Sequence, residues 1–169
     1  IGVAYAVAAF PTLSSAYAAQ DRAGFLGLLR STALSIAVLT VGAAIALAVL
    51  GELVIGTLIG GGRFDAHDVA LTAPVLSVFA LSVPLESLAH LLSRAIYATH
   101  DTLLQVLASL AGLGISVVAT LILLPNLQIL AIPAGFTIGQ AVKVVLLCLA
   151  LAIRLRTLRS AGGTPVTNG

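Results

Sequence analysis

The 169-residue chain is 60% hydrophobic and 8% charged, with eight Lys and Arg against six Asp and Glu, and its mean hydropathy is +1.17. Soluble domains carry about 25% charged residues because a folded chain must present a polar skin to water. So few charges cannot coat a globule of this size, and the surface is expected to face lipid. A net charge of +2, with no basic face interleaved with aromatics, excludes a nucleic-acid binder. The lone Cys148 leaves no partner for a disulfide or a thiolate metal cluster.

A helix needs about 20 apolar residues to cross a bilayer core of about 30 Å. Read in chain order, the sequence offers five such segments, and the predicted fold is an all-α polytopic transmembrane bundle. The first segment runs from Ile1 to about Ala19. The chain opens inside this apolar stretch, with neither Met nor a basic region before it, so it reads as a fragment and not as a signal peptide. The second segment covers about Thr32 to Leu50, with a shorter apolar stretch, Leu53 to Ile59, behind Glu52. The third covers about Val69 to Ser93. The charge-free run from Thr102 to Val142 would make roughly 60 Å of helix, twice the membrane. It must fold back, and Pro125-Asn126 supplies the expected break. A fourth span, Thr102 to Leu124, and a fifth, Ile129 to about Ile153, result. The bundle is expected over 1–159. Residues 160–169, rich in Gly, Ser, Thr and Pro, are expected to form a disordered tail.

Basic residues alternate between the connections. Arg22, Arg30, Arg94, Arg154, Arg156 and Arg159 fall on one side, and Arg63 alone falls on the other, among Glu52, Asp65 and Asp68. The positive-inside rule then places the carboxy-terminal tail in the cytoplasm. Small residues recur at four-residue spacing: Ala108, Gly112, Ser116 and Thr120 on the fourth span, Gly135 and Gly139 on the fifth. Such rows let two membrane helices approach closely.

Two charges fall inside predicted spans. Glu86 lies eight residues inward from Arg94, about 12 Å, and Lys143 lies eleven inward from Arg154, about 16 Å. Leaving either alone in hydrocarbon costs at least about 2.5–3.5 kcal/mol. Their similar depth and opposite sign suggest an ion pair, or two groups lining one wet cavity. Glu86, His90 and Arg94 are spaced four apart, so they form a polar stripe on one helix face. The stripe reads either as local packing polarity or as part of a substrate or ion pathway. Pro84, two residues before Glu86, is expected to bend the third span. Ser14 and Ser15 have no His and carboxylate nearby, and Gly60-Gly61-Gly62 reads as a turn. No catalytic constellation, metal cluster or cofactor motif is visible, so an enzyme is not expected.

Three connections carry a resemblance. Phe10-Pro11-Thr12-Leu13-Ser14, followed by Asp21 and Phe25, is the first. Gly62-Arg63-Phe64-Asp65, with Asp68 and Thr72, is the second. Arg94-Ala95-Ile96-Tyr97-Ala98, then Asp101-Thr102, is the third. In order, spacing and alternation of side they resemble the MurJ/MviN family, lipid II flippases of the multidrug/oligosaccharidyl-lipid/polysaccharide exporter superfamily. One departure is Gln105, where the family usually carries Pro. The resemblance implies that Pro11, Arg63, Phe64, Asp65, Tyr97, Asp101 and Thr102 are structural motif residues. Arg63-Phe64-Asp65 is expected to form an outer turn, with Asp65 or Asp68 capping the third helix. It also implies that the chain supplies about the eighth to twelfth of fourteen helices, part of a carboxy-terminal lobe. The cationic substrate cavity would lie in the missing amino-terminal lobe and seventh helix. The implied partners are lipid II, membrane lipids and that missing lobe, and the implied location is the bacterial inner membrane. The sequence also accommodates a sister exporter of another polyprenyl-linked saccharide or a small cation, and a non-transporting membrane scaffold of the same fold.

Overall fold

The computed structural model describes residues 2–58, 66–99 and 102–161, with side chains described for 3–58, 67–99 and 102–155. The described residues form α1 (Gly2–Ala18), α2 (Arg22–Leu58), α3 (Ala66–Ala98), α4 (Thr102–Leu127) and α5 (Ala131–Ala161), with a 3-10 turn, Gln128–Leu130, between α4 and α5. No strand occurs among them. Three stretches are long and apolar enough to cross a membrane: Arg22–Leu58, His67–Ala98 and the run Thr102–Leu155. Val3–Ala18 is a shorter apolar helix.

The helices are longer than hydropathy alone suggests. α2 continues as 37 residues through Arg30 at one end and Glu52 at the other. Arg and Glu are good helix formers, and charge ends an apolar run without ending the backbone ladder. α3 runs unbroken through Pro74 and Pro84; each ring removes one backbone donor, a loss that packed membrane helices tolerate. α5 extends past Ile153 to Ala161, so Ser160 is helical, and 162–169 lie outside the described residues.

The fold-back between α4 and α5 lies later than Pro125. That proline stays inside α4, and the chain reverses at Gln128, which takes a left-handed conformation with φ 47°. A proline in the last turn costs little helix, whereas a positive φ redirects the chain. The run Thr102–Leu155 is therefore a hairpin and not one straight rod. Gly112 of α4 meets Lys143 of α5, and Gly135 of α5 meets Thr120 of α4, so residue numbers rise on one helix as they fall on the other.

The α1–α2 reversal has a capped geometry. Gln20 is left-handed at φ 54°. Its N–H donates to the Tyr17 carbonyl, and the Asp21 N–H donates to the Ala16 carbonyl, the paired bonds of a Schellman ending. Asp21 then caps α2, accepting from the Gly24 N–H at 2.8 Å, which satisfies one of the unpaired donors of the first turn.

α3 is the central element, packed on α2, α5 and α1, while α4 rests almost wholly on α5. The main core joins α1, α2, α3 and α5, with Ala108 of α4, at the end bearing Arg22, Arg94 and Arg154, and Leu13, Phe25, Ile36, Leu91, Ile96 and Leu147 are fully buried. Tyr17 meets Phe25 edge-on at 6.3 Å between centroids. Much of the rest of that core is Ala, including Ala6, Ala9, Ala89, Ala95 and Ala98, as close helix packing in lipid requires. The outward faces remain apolar: Val49 is 75% exposed, and Leu34, Ile45 and Leu121 are also exposed. Contiguous apolar surface on this scale is untenable in water and ordinary in lipid.

Candidate functional site

The polar residues on α3 and α5 are positioned by an aromatic contact between the two helices. Phe79 of α3 and Phe136 of α5 lie 6.0 Å apart between centroids, tilted by 54°. The two helices run in the same direction, since Leu91 and Ile96 of α3 share the core with Leu147 and Leu155 of α5. Seven residues of helix turn through about 700°, within about 20° of two full turns. Glu86 is seven residues after Phe79, and Lys143 is seven after Phe136. The helical repeat thus returns each charge toward the face that carries its own phenylalanine, roughly 10 Å further along its helix. Both side chains are partly buried. The described residues contain no hydrogen bond or ion pair joining them.

Lys143 sits in the hairpin of α4 and α5. A Cβ on Gly112 would lie 2.9 Å from the Lys143 Cβ and 3.7 Å from its Cδ, so the lysine stem crosses α4 where that helix has no side chain. One face of this crossing opens into a cavity of about 170 Å³ lined by Ser109, Gly112, Ser116, Phe136, Gln140 and Lys143, among others. Gln105 donates to the Ser109 hydroxyl at 3.2 Å. The Gln140 Oε1 is buried with no hydrogen-bond partner.

The remaining candidates are dispersed. His90 is exposed and Arg94 partly buried on α3, and the stripe they form with Glu86 leads toward the arginine-bearing end. Pro11 is exposed within α1, Tyr97 is partly buried one residue before α3 ends, and Thr102 is the exposed first residue of α4. Arg63, Phe64, Asp65 and Asp101 lie outside the described residues. Asp68 occupies the first turn of α3, and its carbonyl accepts from the Thr72 hydroxyl at 2.8 Å. No group of three or more His, Cys, Asp or Glu that could hold a metal ion occurs among the described residues. Of the motif residues, Leu13 and Phe25 are fully buried in the core and Asp21 is a helix cap. The motif around them thus builds the α1–α2 corner.

Sequence reasoning missed Ser109 and Gln140. Gln140 precedes Lys143 by three residues, a same-face spacing that could have found it. Ser116 was legible only as a small packing residue.

The family described as Lipid II flippase MurJ matches residues 1–164. The chain belongs to the MurJ family. Neither a curated protein nor a solved structure matches it. MurJ-family proteins are transporters and not catalysts, and their work implies contact with lipid II and with membrane lipid. Membership accounts for the apolar outer faces of this MurJ chain and gives it a multi-pass membrane location.

Proposed function

We propose that this chain supplies five membrane spans of the carboxy-terminal lobe of a lipid II flippase. That flippase moves undecaprenyl-pyrophosphoryl-MurNAc-pentapeptide-GlcNAc outward across the bacterial inner membrane. The observation that carries the reading is the MurJ match over residues 1–164. The five spans are α1 to α5, with the Thr102–Leu155 run counted as two because it doubles back at Gln128. Arg22, Arg30, Arg94 and Arg154 face the cytoplasm, and the carboxy-terminal tail follows them there. The amino-terminal lobe, with the cationic cavity for the pyrophosphate, belongs to the rest of the protein.

Within this lobe, Glu86 and Lys143 line one interior space and interact during the transport cycle. Their equal seven-residue offset from the Phe79–Phe136 contact supports this, as does the cost of leaving either charge alone in hydrocarbon. Pro84 lies inside α3 two residues before Glu86, and a bend there would give the pair room to form and open. Outer-leaflet lipid II in cells depleted of their own flippase, measured by its accessibility to an added hydrolase, tests the proposal. Glu86→Gln and Lys143→Leu are each expected to impair export or stability, since stranding one member of a buried pair costs about 3–5 kcal/mol. The double substitution should partly recover. Strictly additive losses would defeat the pairing, because independent sites add and coupled ones do not.

A further inference from the structure

The cavity between α4 and α5 is lined by donors. Lys143 contributes an ammonium, which has three donor protons and no acceptor. Ser109 accepts from Gln105, which leaves its own hydroxyl proton available. Hydroxyls in membrane helices ordinarily donate back to the carbonyl one turn earlier, and this chain follows the habit at Ser35, Thr40, Thr57, Thr120 and Thr137. Ser109 and Ser116, the two hydroxyls of the cavity, make no such bond among the described residues. Gln140 completes the set: its amide is held with one end buried and unpaired, and a half-turn about the terminal bond exchanges NH2 for oxygen at that end. Among the described residues, no carboxylate lines the cavity.

We propose that this cavity is a binding site for a small monovalent anion, chloride in the cell. One positive charge and several neutral donors balance one negative charge. A dianion would leave excess charge in a low-dielectric interior, where unpaired charge is heavily penalised. The rest of the lining, Gly112, Leu113, Phe136 and Gly139, is apolar or backbone, so it offers nothing to neutralise a bound cation. The cavity volume of about 170 Å³ admits a halide with part of its water shell and excludes a lipid headgroup with its glycerol. The anion and the Glu86 carboxylate are rival partners for one ammonium: Lys143 faces the anion when the α3–α5 pair is open and Glu86 when it is closed. This inference rests on the membrane-spanning reading of α5 but stands without the Glu86–Lys143 pairing.

Thermal unfolding of the intact protein in detergent tests it, with chloride or bromide replacing gluconate at constant ionic strength. A saturable halide-dependent rise in melting temperature is expected, because a ligand of the folded state stabilises by mass action. Ser109→Ala combined with Ser116→Ala should weaken the apparent halide affinity about tenfold or more, through loss of two hydrogen bonds to a charged ligand. Lys143→Gln should abolish the response. If Lys143→Gln does not fold, the serine variant decides the matter alone, since it keeps the charge and removes only two small donors. Glu86→Gln should tighten halide binding by removing the rival carboxylate. A serine-dependent response that Glu86→Gln leaves unchanged supports the site and defeats the pairing. A response absent in the wild type, or equal in the wild type and the serine variant, overturns the site, as does bromide anomalous density located away from α4 and α5.

Discussion

Asp21 shows how little of a sequence motif needs to be chemistry. Its carboxylate accepts from the Gly24 N–H at 2.8 Å, and the left-handed Gln20 before it closes α1. One acid thus starts α2 at the point where Phe25 must turn into the core beside Tyr17. Asp21→Ala is expected to cost about 1 kcal/mol, the ordinary value of a helix cap, and Asp21→Asn much less, since the amide oxygen can still accept. Chemical or thermal unfolding of the two variants in detergent measures the difference. Equal losses would mean that the charge, and not the cap, matters. Glu86 and Lys143 obey different economics. The Lys143 stem covers Gly112, which apolar atoms alone could do, and each charge persists in an apolar span despite its desolvation cost.

Among the elements, the α4–α5 hairpin is the most tightly fitted. A Cβ on Gly139 would fall 2.5 Å from the Gly112 carbonyl oxygen and 2.6 Å from the Ser116 Cβ. On Gly135 it would meet the Thr120 hydroxyl and lie 2.7 Å from the Thr120 backbone nitrogen. Backbone atoms cannot swing aside as a side chain can, so the helices themselves would have to separate. Gly139→Leu is expected to destabilise by about 1–3 kcal/mol, the usual cost of overpacking, and to displace Lys143 from Gly112. Gly114, with open space where its Cβ would go, is the control: Gly114→Leu should be neutral or slightly stabilising, because glycine is a poor helix former. Unfolding midpoints that rank these two variants the other way would refute the packing described for the pair.

For the whole molecule, the arrangement of ends is the testable matter. The chain reverses between α1 and α2, between α2 and α3, between α3 and α4, and again at Gln128, so Arg22, Arg30, Arg94 and Arg154 collect at one end of the bundle. Asn126 lies at the opposite end and is exposed. In the intact protein with Cys148 replaced, a cysteine at residue 126 should react with a membrane-impermeant thiol reagent added from outside. Reaction only after the cytoplasmic face is opened would invert the orientation and with it the export direction. Such a topology needs no continuous water-facing surface, which explains how a chain with 8% charged residues can fold without aggregating in its own environment.

The sequence by itself determined the class, the existence of the helices and the close approach of α4 and α5. Each of these follows from composition or from local periodicity, and the row Ala108, Gly112, Ser116 needs only a four-residue count to be seen. Helix ends were less legible. Hydropathy marks where apolar character stops, at Arg30, Glu52 or Arg94, whereas the backbone ladder continues through charged and proline residues alike. The site of the hairpin turn was misplaced because Pro125 is the visible breaker, while Gln128 adopts a positive φ that only packing of the two helices imposes. Tertiary structure alone decided that Lys143 crosses α4 at Gly112 and shares a cavity with Ser109 and Gln140. Residues 109 and 140 are far apart in the chain, and no local rule couples them. They line one cavity because α4 and α5 run antiparallel at the small separation that glycine permits.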